Sequence, residues 1–119
     1  MIIIAGTIDF PNQELRNQAI QDIESTQKAT RDEEEGCFAY CFSADPCVPD
    51  RIQIYELWAN ESSLADHFIH LNYLRMRELL RNAGYSKSQS QKYRIDLAEP
   101  VYDENKNPRA DFFSDKEMS

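Results

Sequence analysis

The chain opens on an alternating run in which Ile2, Ile4, Gly6, Ile8 and Phe10 fall on one side of an extended backbone and Ile3, Ala5, Thr7 and Asp9 on the other. A period of two with apolar groups on both sides predicts a strand over residues 2–10, ended by Pro11. Asn12 is an N-cap candidate. Leu15, Ala19, Ile23 and then Thr26 or Ala29 recur at helical spacing among polar residues, which predicts a helix with one buried stripe to about Ala29. The acidic run Arg31-Asp32-Glu33-Glu34-Glu35-Gly36 predicts a solvated turn with Gly36 at the helix exit.

Cys37 to Ser43 reads as a second strand, with Phe38, Tyr40 and Phe42 on one face and Cys37, Ala39 and Cys41 on the other. The loop Asp45 to Asp50 leads to a third strand, Arg51 to Trp58, which sets Ile52, Ile54, Glu56 and Trp58 against Gln53, Tyr55 and Leu57. Asn60 to Ser63 supply caps for a second helix. Its stripe is Leu64, His67, Phe68, Leu71, Leu74 or Arg75, and Leu79, and Gly84 stops it. Residues 85–90 read as a polar loop, and Gln91 to Leu97 as a fourth strand with Tyr93, Ile95 and Leu97 on one side.

The order β-α-β-β-α-β predicts an α+β protein of ferredoxin-like topology, a four-stranded antiparallel sheet with two helices on one face. Strands one to three carry apolar groups on both faces, so the face without helices calls for a cover. A second copy supplies it most economically, and a homodimer is expected. Residues 1–98 make this unit. Residues 99–119 offer only Val101, Tyr102, Phe112 and Phe113 to bury, and read as a C-terminal tail that is disordered or packed across the dimer.

At 119 residues and 41% hydrophobic, one folded domain is expected rather than several. Thirteen Lys and Arg against twenty-one Asp and Glu give a net charge of −8, a field that repels phosphate backbones and anionic lipid. Neither nucleic acid nor a membrane is an expected partner. No apolar stretch approaches a membrane span, and the start lacks the basic region of a signal peptide. The odd count of cysteines, Cys37, Cys41 and Cys47, argues against a disulfide framework and for a reducing, cytoplasmic location.

Among residues able to do chemistry, His67 falls on the stripe that faces the sheet, so a titratable ring points inward. Its commonest explanation at that spacing is a core histidine with a satisfied hydrogen bond. Trp58 ends the third strand on the face that carries Glu56, and the following helix folds His67 back toward the indole. Burial predicts a raised pKa for Glu56 unless Arg94 or Lys92 pairs with it, and such an ion pair is the plainer expectation. His67 and His70 stand three apart on one helix without a third ligand at a usual spacing, so no metal site is expected. Phosphate-cradling glycine loops and a nucleophile elbow are both missing, which removes nucleotide-dependent and serine hydrolase chemistry.

Glu34-Glu35-Gly36-Cys37, and Tyr55-Glu56-Leu57-Trp58 followed by Leu64 and His67, resemble the antibiotic biosynthesis monooxygenase family of dimeric α+β barrels, which includes small quinol monooxygenases. The resemblance spans roughly residues 1–98 and implies oxidation of a small aromatic or quinol-type substrate by O₂ with no metal or flavin cofactor. An electron-rich phenolate or enolate can pass an electron to O₂ itself, so the protein need only deprotonate, orient and desolvate it. The resemblance assigns His67 as base or hydrogen-bond partner and Trp58 as a stacking wall; Tyr40, Glu56, Phe68 and Asn72 are the substrate contacts expected beside them. Family members often carry a second histidine where this chain has Asn72. The heme-degrading branch has an asparagine on strand one, where only Gly6, Thr7 and Asp9 are available, so heme turnover is disfavoured. An isomerase or lyase acting on a small oxygenated metabolite, and a non-catalytic ligand-binding dimer, are the alternatives.

Overall fold

In the computed structural model, which describes residues 1–114, the first strand organises the sheet. β1 (Ile2–Asp9) pairs antiparallel with β3 (Arg51–Trp58) on one side and with β4 (Lys87–Arg94) on the other, and β2 (Cys37–Ala44) completes the order β2-β3-β1-β4. Three helices, α1 (Gln13–Glu33), α2 (Glu61–Ile69) and α3 (Leu71–Asn82), follow from the caps and stripes between strands. The ferredoxin-like α+β topology read from the sequence is the fold of the chain. No helix among the described residues is long and apolar enough to cross a membrane.

The helix-facing side of the sheet holds the core, where Ile2, Ile8, Ile52, Ile54, Tyr40, Phe42 and Trp58 meet Ala19, Ile23, Leu64, Met76 and Leu80. The opposite side carries Ile3, Ala5, Tyr55, Leu57 and Tyr93 in register across β1, β3 and β4 and receives no helix. Its apolar groups are half-buried or exposed in the single chain.

Four local readings need correction. α1 continues one turn past Ala29 to Glu33, because Thr26 and Thr30 extend the buried stripe. Its first buried position is Arg16, whose Nη1 donates to the Arg51 carbonyl at 3.0 Å, while Leu15 stays exposed. Phe38 is the extra residue of a bulge between Cys37 and Ala39, which turns it out of the face shared by Tyr40 and Phe42.

The second predicted helix is two. His70 breaks it in an extended conformation and caps α3, its Nδ1 accepting from the Asn72 amide N–H at 3.0 Å. The buried positions then shift to Asn72, Met76 and Leu80, leaving Leu71 and Leu74 exposed. Gly84 ends α3 at φ +80°, as its position suggested. β4 begins four residues before the predicted strand and stops at Arg94, leaving Ile95 and Leu97 beyond it. Its polar sequence is extended because it matches β1 residue for residue, from Asp9 opposite Lys87 to Ile2 opposite Arg94.

After β4, residues 99–114 make local contacts. Tyr102 bridges Pro108, Arg109 pairs with Asp111 at 2.7 Å, and the Glu99 carboxylate accepts from the amides of Phe113 and Ser114. Predictions for residues 115–119 lie outside the described residues.

Candidate active site

The extra turn of α1 brings Glu34, its C-cap, to the mouth of β2 and against α2. Glu34 Oε1 lies 2.7 Å from His67 Nδ1, with the two side chains 7% and 2% exposed. Glu34 Oε2 accepts from Asn72 Nδ2 at 3.2 Å, and the same amide reaches Glu33 at 3.1 Å. Gly36 lets this turn close on α2. A Cβ there would stand 2.1 Å from Ser63 Oγ, and its carbonyl accepts from the Ala59 N–H at 2.9 Å.

Rings fix the imidazole plane. Trp58 lies against His67 with centroids 4.4 Å apart and planes tilted by 37°. Tyr40 and Tyr73 meet the ring edge-on at 5.6 and 5.2 Å. Trp58 Nε1 donates to Glu56 Oε1 at 2.9 Å, so Trp58 supports both titratable groups. The ion pair expected for Glu56 does not form, because Lys92 and Arg94 stand two strands away on β4. Burial pushes the Glu56 carboxyl up to about 7 despite the Trp58 bond, and the nearby Glu34 charge adds to the rise.

Burial also lowers the pKa of His67, with the Glu34 hydrogen bond and charge pulling the other way, so the ring is neutral at pH 7. Desolvation drives the Tyr40 phenol far above its ordinary range, leaving it a protonated donor. Cys37 is raised to about 11 by burial, which makes it a poor nucleophile.

A cavity of about 290 Å³ lies between the sheet and the helices. Of the predicted site residues, His67, Tyr40, Glu56 and Phe68 line it. Trp58 and Asn72 do not. Trp58 is fully buried with one face spent on His67, and the Asn72 amide is spent on Glu33 and Glu34. These two therefore hold His67 and Glu34 in place rather than contacting the cavity. Sequence reasoning missed Met76, Arg77, Ser88 and Ser90 as lining residues, and Glu34 as the partner of His67. Glu34 carried a signal in its place two residues before Gly36, where a helix must end close to a strand, and in the Glu34-Glu35-Gly36-Cys37 run, but neither pointed to His67.

A second space of about 550 Å³ lies on the far side of Glu34, lined by Glu33, Glu34, Glu35, Asp66, His70 and Phe38 among others. Among the described residues no group of three His, Cys, Asp or Glu is placed to hold a metal ion.

Residues 1–79 match the family model for antibiotic biosynthesis monooxygenase. The chain belongs to the antibiotic biosynthesis monooxygenase family. The match ends within α3, so in this member of the family β4 and the cavity residues Ser88 and Ser90 lie beyond the matched segment.

The fold is shared with solved structures. A candidate antibiotic biosynthesis monooxygenase from Deinococcus radiodurans is 23% identical, with a TM-score of 0.76 over 87% of this chain and 100% of that one. A conserved protein from Methanosarcina mazei is 22% identical, with a TM-score of 0.69 over 78% and 90%. A candidate antibiotic biosynthesis monooxygenase from Caulobacter crescentus is 12% identical, with a TM-score of 0.69 over 82% and 91%. No curated protein sequence matches the chain.

Proposed function

We propose that this protein is a cofactor-independent monooxygenase that oxidises a small hydroxylated aromatic of the quinol or anthrone type with O₂. The observation that carries this reading is a buried His67, clamped between rings and hydrogen-bonded to Glu34, in the wall of a largely apolar cavity. His67 takes the proton of the substrate hydroxyl or enol, and the anion passes an electron to O₂. The radical pair joins at carbon to give a peroxide, which breaks its O–O bond. The peroxide takes back the proton held by His67, and the C–H bond at the same carbon breaks with the O–O bond, so one oxygen atom stays as the product carbonyl and the other leaves as water.

Tyr40 and Phe68 flank the bound ring in this scheme, and Glu56, protonated over much of the neutral range, donates to a substrate oxygen. A volume of about 290 Å³ is at the small end for ligand pockets, which within this class favours quinols of one or two rings over the three-ring anthrones. O₂ consumption with a panel of quinols and anthrones tests the reading. Wild type consumes O₂ and His67→Ala does not, whereas equal rates overturn it.

One observation favours a second enzyme reading. Glu56 and His67 line the same cavity with pKa values displaced in opposite directions, an arrangement suited to moving a proton between two atoms of one substrate in an isomerase or lyase. Turnover of an oxygenated metabolite without O₂ would select that reading.

The functional unit in either case is proposed to be a cytoplasmic homodimer. The support is the apolar sheet face of Ile3, Tyr55, Leu57 and Tyr93 that no helix covers.

A further inference from the structure

His67 and Glu34 together form the wall between the two spaces: His67 lines the inner cavity and Glu34 the outer cleft. Between them runs one short contact, Nδ1 to Oε1 at 2.7 Å, with both side chains almost fully buried. A carboxylate offers only lone pairs, so the ring nitrogen facing it must carry the hydrogen. The other nitrogen, Nε2, is then left with a lone pair on a ring that lines the cavity.

Glu34 is itself braced. Its second oxygen is occupied by the Asn72 amide, and its backbone N–H donates to the Thr30 carbonyl at the end of α1. A carboxylate fixed at both oxygens holds its partner at a set distance and angle, and needs no rearrangement when charge develops on the ring.

We propose that Glu34 is the positioning residue of the site: it fixes His67 as the Nδ1–H tautomer, directs Nε2 at the substrate proton, and stabilises the imidazolium that forms when that proton arrives. The proton moves from a substrate O–H to Nε2, the Nδ1–H stays with His67, and Nε2 later gives the proton to the departing oxygen, so nothing is lost to solvent. The assignment builds on the monooxygenase reading only for what the substrate is; any reaction using His67 as a base needs the same tautomer. The charged and titratable groups around the ring are Glu34 from the end of α1, Tyr40 from β2, Glu56 from β3 by way of Trp58, His70 from the α2–α3 junction and Tyr73 from α3. Glu34 is the one of these whose side chain is hydrogen-bonded to the His67 ring.

The test is nitrogen-15 NMR of the histidine rings in the full, substrate-free protein, followed by titration of Glu34→Gln. Wild type should show His67 with a protonated Nδ1 and an unprotonated Nε2. A predominantly Nε2–H ring overturns the proposal even if every quinol is turned over. Glu34→Gln keeps an acceptor oxygen but loses the charge, so His67 should titrate at a lower pH than in wild type. With an active substrate, the acid limb of the kcat profile should move the same way, with kcat down about tenfold or more and KM little changed. Identical titration of the two proteins overturns the proposal. Should Glu34→Gln fail to fold, the wild-type tautomer alone decides. Loss of all oxygenase activity with the Nδ1–H tautomer intact counts against the monooxygenase reading and leaves the role of Glu34 standing.

Discussion

The indole of Trp58 donates to Glu56 through its edge while its face lies on His67, so one side chain links the two groups of the cavity whose protonation matters most. Trp58→Phe keeps the face and removes the donor. With the bond to its charged form gone, the Glu56 carboxyl should move above its present value of about 7. Infrared titration of the carboxyl band checks this; an unchanged midpoint counts against the coupling.

Glu56 also makes a prediction about stability. Its folded pKa of about 7 lies above the ordinary 4.5, so between those values the folded protein holds a proton that the unfolded chain has lost. Stability from this group is therefore present below about 4.5, declines as pH rises to about 7, and stays lost above. The displacement corresponds to roughly 3 kcal/mol. Glu56→Gln removes this slope, so its Tm relative to wild type should climb between those pH values and then level off. A constant difference across the range contradicts the displaced pKa.

Gly36→Ala should be costly for a residue in a turn. The added Cβ meets Ser63 Oγ at 2.1 Å and Ser63 Cβ at 2.3 Å, and relief requires the turn holding Glu34 to move off α2. A loss of about 1–3 kcal/mol in chemical denaturation is expected, with a fall in activity larger than the stability loss explains. Full activity in a folded Gly36→Ala protein refutes the link between this turn and His67.

Met76 is buried and lines the cavity. Met76→Ala should cost about 2–5 kcal/mol and enlarge the space, shifting relative O₂ consumption toward larger ring systems. Rates measured across substrates of increasing ring number decide this; an unaltered preference means that Met76 does not set the size limit.

Tyr55 sits on the sheet face that no helix covers and is 44% exposed in the single chain. Tyr55→Glu should leave that chain folded and break the dimer, read by light scattering after gel filtration. A monomeric wild type, or a dimeric variant, refutes an interface at this face.

The strands were legible wherever a strict period of two met a buried face. β1 and β3 needed no partner to be recognised, and His67 followed from the stripe that begins at Leu64. β4 was not legible in full, since Lys87 to Gln91 is polar throughout and is extended only because β1 offers a free edge of equal length. The break at His70 was hidden because Leu71 and Leu74 continue the apolar pattern, and what interrupts the helix is a side-chain cap no periodicity reports. Glu34 is thirty-three positions from His67, and a charge within an acidic run does not announce which of its members turns inward.

The break at His70 decides what Glu34 can reach. In an unbroken α-helix each residue turns about 100°, so positions 67 and 72 would point roughly 140° apart, and one carboxylate could not serve both. Restarting the helix at Leu71 resets that angle, and Glu34 gives one oxygen to His67 and the other to Asn72. The interruption thus acts as a phase shifter, converting two side chains that would face away from each other into the two jaws of a clamp on a single acid. A loop deletion or helix-favouring substitution that straightened this junction would spare the core of β1 and β3 and unfasten the site.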